Sequence, residues 1–102
     1  MPAIIHVVLL KFNDQLPADF IEGTLRPEGL KMVGQIPGLK RVELGPPMSL
    51  TKARSQGWQA MLYSEMESEE ALKTYIAHDV HEQFKTLFKP YVADVLAYDM
   101  EI

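Results

Sequence analysis

The residues best suited to chemistry in this chain are Tyr75, His78 and His81, which follow one another at intervals of three. On a helix this spacing keeps side chains on neighbouring ridges of one face, so the three would form a short polar arc. An imidazole is the side chain most easily tuned to move protons near neutral pH. A neighbouring phenol can donate a hydrogen bond to a carbonyl oxygen. The segment therefore indicates proton-transfer chemistry on a carbonyl compound.

The composition predicts a single domain over residues 1–102, of which 47% are hydrophobic and 24% charged. The net charge of −4 argues against a nucleic-acid partner, because a phosphate backbone is bound by an excess of Lys and Arg. The chain has no cysteine, which excludes disulfides, thiolate metal sites and cysteine nucleophiles. The apolar run 3–10 is too short to cross a membrane, and no positive residue precedes it as in a signal peptide. We therefore expect a cytoplasmic protein with no membrane partner.

Residues 3–12 predict a strand with two apolar faces, one carrying His6 and Val8 and the other carrying Val7 and Leu9. A strand of this kind is covered on both sides. The helices of a chain this short can supply one cover, so we expect a second subunit to supply the other.

Pro17 is well placed to open a first helix, and Pro27 should break it and begin a second piece that reaches Gly34 and presents Leu30 and Val33. Further strands are predicted at 39–44, 58–66 and 92–102. A long polar loop that contains Lys52 and Arg54 lies between the first two of these.

Ser68 is a good N-cap for another helix, and the pattern Asp79-x-x-Glu82 indicates that this helix restarts at Asp79. His81 would then lie in a first helical turn, where the positive end of the helix dipole favours the neutral imidazole. The element order β, broken helix, β, β, helix, β predicts an α+β, ferredoxin-like split βαβ fold with a four-stranded antiparallel sheet.

The sequence resembles a known family, the stress-responsive A/B barrel (Dabb) proteins, which are dimeric α+β barrels. The resemblance runs through nearly the whole chain. The matching stretches are His6–Phe12, Ile36–Gly38 with Val42 and Gly45, Ser64–Leu72, Tyr75–His81 with Phe84, and Ala97–Asp99. Most relatives have a proline where this chain has Asp79.

The resemblance implies a homodimer whose sheets face each other, and a cavity in each protomer that takes a polyketide or another small hydrophobic ligand. A plant member of the family is a polyketide cyclase that closes a linear chain by aldol condensation without a metal or an organic cofactor. Its catalytic pair falls on Tyr75 and His81, and a histidine of its pocket falls on His6. By this resemblance Tyr75 and His81 are the candidate catalytic residues, with His6 and His78 as candidate substrate-binding residues and no cofactor.

The same residues also allow other interpretations. In one of them the protein is a non-catalytic, stress-related dimeric binding protein. Tyr75 and His81 would then have only a structural role, lining or plugging the open end of the barrel. His78 and His81, with Asp79 or Glu82, have a spacing that a metal could use, although we expect no metal. The pair Lys52 and Arg54 could attract an acidic ligand or simply be solvated.

Overall fold

A four-stranded antiparallel sheet forms the centre of the structure, a computed structural model that describes residues 2–102. The strands are β1 (Ile4–Phe12), β2 (Leu39–Gly45), β3 (Ala60–Met66) and β4 (Val92–Glu101), and their order in the sheet is β2-β3-β1-β4. The central strand β1 pairs with both β3 and β4. The predicted ferredoxin-like α+β fold is confirmed.

Helical segments connect these strands, and the α-helices among them cover one face of the sheet. They are a π-helical turn (Ile21–Leu25) that leads into α1 (Arg26–Leu30), a 3-10 helix (Ser49–Ser55), α2 (Glu69–Ala77), α3 (Asp79–Phe88) and a short 3-10 turn (Lys89–Tyr91). None of the helices within residues 2–102 has the length and apolar character needed to cross a bilayer.

The two faces of the sheet differ in how they are covered. On the helix side, β1 buries Ile4, His6, Leu10 and Phe12 in the core. On the other side Leu96 of β4 is 43% exposed, beside further apolar side chains that no other part of residues 2–102 covers. We call this second surface the open face, and its apolar members are Ile5, Val7, Leu9, Met61, Leu96, Tyr98 and Met100.

The first helical region departs from the prediction in two ways. The helix does not begin at Pro17, because Asp19 adopts a left-handed φ of 60°. The chain also does not break at Pro27. Instead, the amide of Arg26 donates to the carbonyl of Ile21, which forms a wider π-helical turn just before the proline. A wider turn gives room to a ring that would otherwise clash with the carbonyl four residues earlier.

The apolar contacts of this region also differ from the prediction. Leu30 and Val33 are 42% and 39% exposed, whereas Met32 and Ile36 are buried. The helix α1 ends at Leu30 and turns follow it, so the helical phase expected up to residue 34 is lost. The core face of this segment is therefore set by the turns and not by a continuous helix.

Two small residues fix the start of α2. Gly38 has a φ of 83°, and a Cβ at this position would lie 2.5 Å from the Cβ of Ala71, so the turn packs directly on the helix. The hydroxyl of Ser68 accepts a hydrogen bond from the amide of Ala71 at 3.2 Å, which confirms the predicted N-cap.

The segment between β2 and β3 is more regular than predicted. The expected loop contains the 3-10 helix Ser49–Ser55, which ends at Gln56 in a left-handed conformation. The strand β3 starts at Ala60 and not at Trp58. The Gln59 side chain accepts a hydrogen bond from the amide of Phe12 at 2.7 Å, which ties this end of β3 to β1.

Candidate functional site

The site is centred on the contact between Tyr75 and His81. Tyr75 lies in the last turn of α2 and His81 in the first turn of α3, and between them His78 has an extended backbone with ψ of 139°. This break confirms the predicted restart at Asp79. It turns α3 back on α2, so that the two rings stack with centroids 4.0 Å apart and planes at 29°.

Tyr75 is the most enclosed residue of the site. Its exposed fraction is 0%, and the ring of His6 on β1 meets it edge-on with centroids 5.5 Å apart. Burial raises the pKa of the Tyr75 phenol above its ordinary value, and the negative charge of Asp99 acts in the same direction. The phenol is therefore protonated at neutral pH and can act as a hydrogen-bond donor.

His81 is poised as a neutral imidazole. Burial lowers the pKa of its ring below the ordinary value of 6.5 and outweighs the backbone of Ile76, which acts in the opposite direction. Lys85 and His6 lower the pKa further, and Glu82 raises it. The predicted neutral state agrees with this direction, and burial is its largest cause.

Two polar atoms of this pair are buried without a hydrogen-bond partner among residues 2–102. They are Oη of Tyr75 and Nδ1 of His81. A buried polar group without a partner costs about 1–3 kcal/mol, so such groups are rare and mark places where a ligand, a water molecule or chemistry supplies the partner.

His6 is held in place by Asp99, a residue not predicted as part of the site. Its Nδ1 and a carboxylate oxygen of Asp99 form a short hydrogen bond, across the β1–β4 pair in which the two residues are direct partners. A signal for this was present in the sequence. Leu96, Tyr98 and Met100 alternate on one face of β4, which places the carboxylate of Asp99 on the other face with His6.

His78 has a different task from the other two histidines. Its Nδ1 accepts a hydrogen bond at 3.1 Å from the amide of Val80, and it thereby caps α3. The expected arc of three side chains is therefore reduced to Tyr75 and His81, and the substrate-binding role of His78 remains a prediction.

Four of the best-formed clefts within residues 2–102 have none of the predicted site residues His6, Tyr75, His78 and His81 in their lining. The cavity expected at these residues remains a prediction. The cleft nearest along the chain has a volume of about 290 Å³ and lies between α3 and β4, where Glu82 follows His81 directly.

The metal alternative finds no support in this arrangement. Within residues 2–102, no group of three or more His, Asp or Glu side chains is arranged to hold a metal ion. His78 is occupied as a cap, so it does not join His81 as a ligand.

The comparison with protein families gives a match over nearly the whole chain. The model of the Dabb family, the stress responsive A/B barrel domain, matches residues 4–102. The chain belongs to the Dabb family. One Dabb relative is the stress-response A/B barrel domain-containing protein HS1 of Arabidopsis thaliana, 32% identical over 94 residues, which are 92% of this chain and 84% of HS1.

Solved structures show the same fold at lower identity. A dimeric ferredoxin-like protein of unknown function from Thermobifida fusca has a TM-score of 0.84 at 22% identity and covers 99% of this chain and 92% of its own. A hydroxynitrile lyase from Passiflora edulis has a TM-score of 0.82 at 16% identity and covers 98% and 93%. The backbone of this Dabb protein therefore follows the same fold as these two structures.

Proposed function

We propose that this Dabb protein is a cofactor-free polyketide cyclase, in which His81 and Tyr75 act on a carbonyl compound as a general base and a hydrogen-bond donor. The observation that carries the proposal is the pair of stacked rings in which Nδ1 of His81 and Oη of Tyr75 are buried without hydrogen-bond partners among residues 2–102. A poly-β-keto chain would supply both partners, an acidic C–H group and a carbonyl oxygen.

The chemistry is the ring-closing aldol addition of an intramolecular aldol condensation. Neutral His81 takes a proton from a carbon between two carbonyl groups, and the hydroxyl of Tyr75 donates to the oxygen on which negative charge develops. The resulting enolate carbon attacks a distant ketone of the same chain and forms a C–C bond. The new alkoxide takes the proton back from the histidinium. His6, held by Asp99, packs against Tyr75 and would fix the ring that carries the donor.

The relatives are compatible with this chemistry. The family resemblance described above implies that the catalytic pair of a polyketide cyclase corresponds to Tyr75 and His81, which supports the proposal. The Passiflora edulis protein is named as a lyase, so this fold carries lyase chemistry in at least one protein. A fold alone does not establish a reaction, so the proposal depends on the two residues.

The test is product formation from a synthetic poly-β-keto thioester by the wild type and by variants Tyr75→Phe and His81→Ala. Removing a general base or an oxyanion donor costs about 10²–10³ in rate. Thr74→Ala is the matched control, because Thr74 is exposed on α2 and bonds only its own helix at Glu70. Equal rates for all four proteins would remove the proposal.

A second candidate is a non-catalytic, stress-related binding protein. It is favoured by the complete burial of Tyr75 and by the absence of these rings from the lining of the four clefts. In this case Tyr75→Phe would leave ligand binding and the biological response unchanged.

We further propose that the protein is a homodimer that pairs the open faces of two sheets. Leu96, Tyr98 and Met100 are 43–65% exposed on this face, and burying them removes apolar area from water. The Thermobifida fusca protein of the same fold is described as dimeric. Light scattering after size exclusion gives the mass, and a monomer would contradict the proposal.

A further inference from the structure

We propose that the largest of the four clefts binds an organic anion that has an apolar body and a carboxylate or phosphate group. This cleft has a volume of about 640 Å³, within the usual range of small-molecule sites. It lies where β2 ends and the 3-10 helix Ser49–Ser55 folds back, and it contains none of the residues of the Tyr75–His81 site. It is therefore a separate site, and the inference does not depend on the proposed cyclase activity.

The apolar body would contact a lining made largely of side chains without charge. Leu44 forms the buried side, and Pro46, Pro47 and Met48 form a stiff wall after β2. Met48 is 62% exposed, so this wall has apolar surface that no other part of residues 2–102 covers.

The anionic group would be recognised by Arg26 and Arg54, which both line the cleft. Arg26 already binds Glu22 at 2.8 Å, and the lining carboxylate of Glu43 is bound by Arg41 at 3.2 Å. Arg54 has no carboxylate within salt-bridge distance among residues 2–102. A guanidinium is well suited to bind a planar carboxylate or a phosphate by two hydrogen bonds.

The charge near the cleft is positive, although the net charge of the chain is negative, and this favours the binding of an anion. The protein carries a net charge of −4, yet residues 44–64 contain Lys52 and Arg54 and no Asp or Glu. This acid-free segment forms most of the cleft. An anionic ligand is therefore attracted here although the protein as a whole repels it.

Gly45 allows Arg26 to reach this position. A Cβ on Gly45 would lie 2.9 Å from Nη2 of Arg26, which is closer than side-chain carbons come to such atoms. The missing side chain leaves room for the guanidinium beside the end of β2. Glu22 then holds it from the other side.

Trp58 makes the cleft observable. It is the single tryptophan of the chain, it lines the cleft, and the ammonium group of Lys11 lies 4.7 Å from its ring centroid. Its fluorescence and its one indole N–H resonance therefore come from a residue of this cleft and from no other tryptophan. Leu9 and Met61 of the lining belong to the open face, so the measurement is made on the protein in the assembly in which it purifies.

The experiment follows Trp58 during titration with decanoate, decanol, coenzyme A and inorganic phosphate. We expect saturable shifts with decanoate, with coenzyme A or with both, and these two arms distinguish a carboxylate from a phosphate ligand. Decanol, which has the same chain without the charge, should bind at least tenfold more weakly than decanoate. Inorganic phosphate has no organic body and should bind more weakly than coenzyme A, whose phosphates are carried on one.

The variant Arg54→Met should weaken binding by about tenfold or more, the usual effect of losing a charge-assisted hydrogen bond. The matched control is Lys52→Met, which removes the same charge from the same 3-10 helix outside the lining and should change affinity less than twofold. If Arg54→Met does not fold by circular dichroism, Arg26→Met replaces it. The proposal is overturned if neither decanoate nor coenzyme A shifts Trp58, if decanol binds as well as decanoate, or if the two variants lose affinity equally.

Discussion

The ring of Tyr75 lies on the ring of His81 although the two residues are six positions apart in the chain. In a continuous helix, six residues rotate by about 240° and rise about 9 Å, so the two side chains would lie on different faces. The extended backbone of His78 removes this separation by starting a second helix. The contact that could do chemistry therefore depends on the break and not on the regular spacing.

The first prediction concerns the hydroxyl of Tyr75. Because Oη is buried without a partner, Tyr75→Phe should keep the packing and raise the free energy of unfolding by up to about 1 kcal/mol. Urea denaturation followed by circular dichroism measures this difference. A loss of more than about 1 kcal/mol would mean that the hydroxyl makes a stabilising hydrogen bond, which contradicts this view of the site.

The second prediction concerns pH and His81. Because its pKa is lowered in the folded protein, the unfolded chain binds the proton more readily, and stability falls as the pH drops below the ordinary value of 6.5. The variant His81→Gln should lose less stability than the wild type between about pH 7.5 and about pH 5.5. The difference is at most about 1 kcal/mol, since the ring is only partly buried. Equal losses in the two proteins would show that burial does not disfavour the charged ring.

The third prediction separates capping from ligand binding at His78. Asparagine is a good N-cap and alanine is a poor one, so His78→Ala should cost about 1 kcal/mol of stability and His78→Asn much less. Thermal unfolding of the two variants measures this order. Equal destabilisation would contradict the cap, and a loss of activity in the stable His78→Asn variant would indicate a role in substrate binding.

The fourth prediction addresses the open face. Leu96→Glu places a charge in the proposed interface and should give a monomer, because burying an unpaired carboxylate is costly. Ile76→Glu is the control, since Ile76 is 53% exposed on α2 and lies away from the sheet. Light scattering gives the mass of each variant. A dimeric Leu96→Glu, or a monomeric Ile76→Glu, would place the interface elsewhere.

The sequence was sufficient to predict the strands of the sheet and the helix starts, because each of these features depends on residues that are neighbours in the chain. The two apolar faces of β1 and the N-cap at Ser68 each depend on neighbouring residues, and the structure has both where they were predicted. The restart at Asp79 followed from a capping pattern, although the side chain that caps the new helix is that of His78.

The sequence was less informative where distant residues decide the geometry. The left-handed Asp19 and the π-helical turn before Pro27 depend on how the first helical region meets the sheet. The bond between His6 and Asp99 joins two ends of the chain and required the strand register. The cleft at Arg54 and Trp58 lies where the sequence predicted only a polar loop and the start of a strand.

The most direct test of the central claim is the pH dependence of the rate of ring closure on a poly-β-keto thioester. We predict that the wild-type rate rises with pH through an apparent pKa below 6.5, that His81→Gln removes this rise, and that Tyr75→Phe lowers the rate at every pH. If His81→Gln has the rate and the pH profile of the wild type, the stacked pair is not an acid–base site.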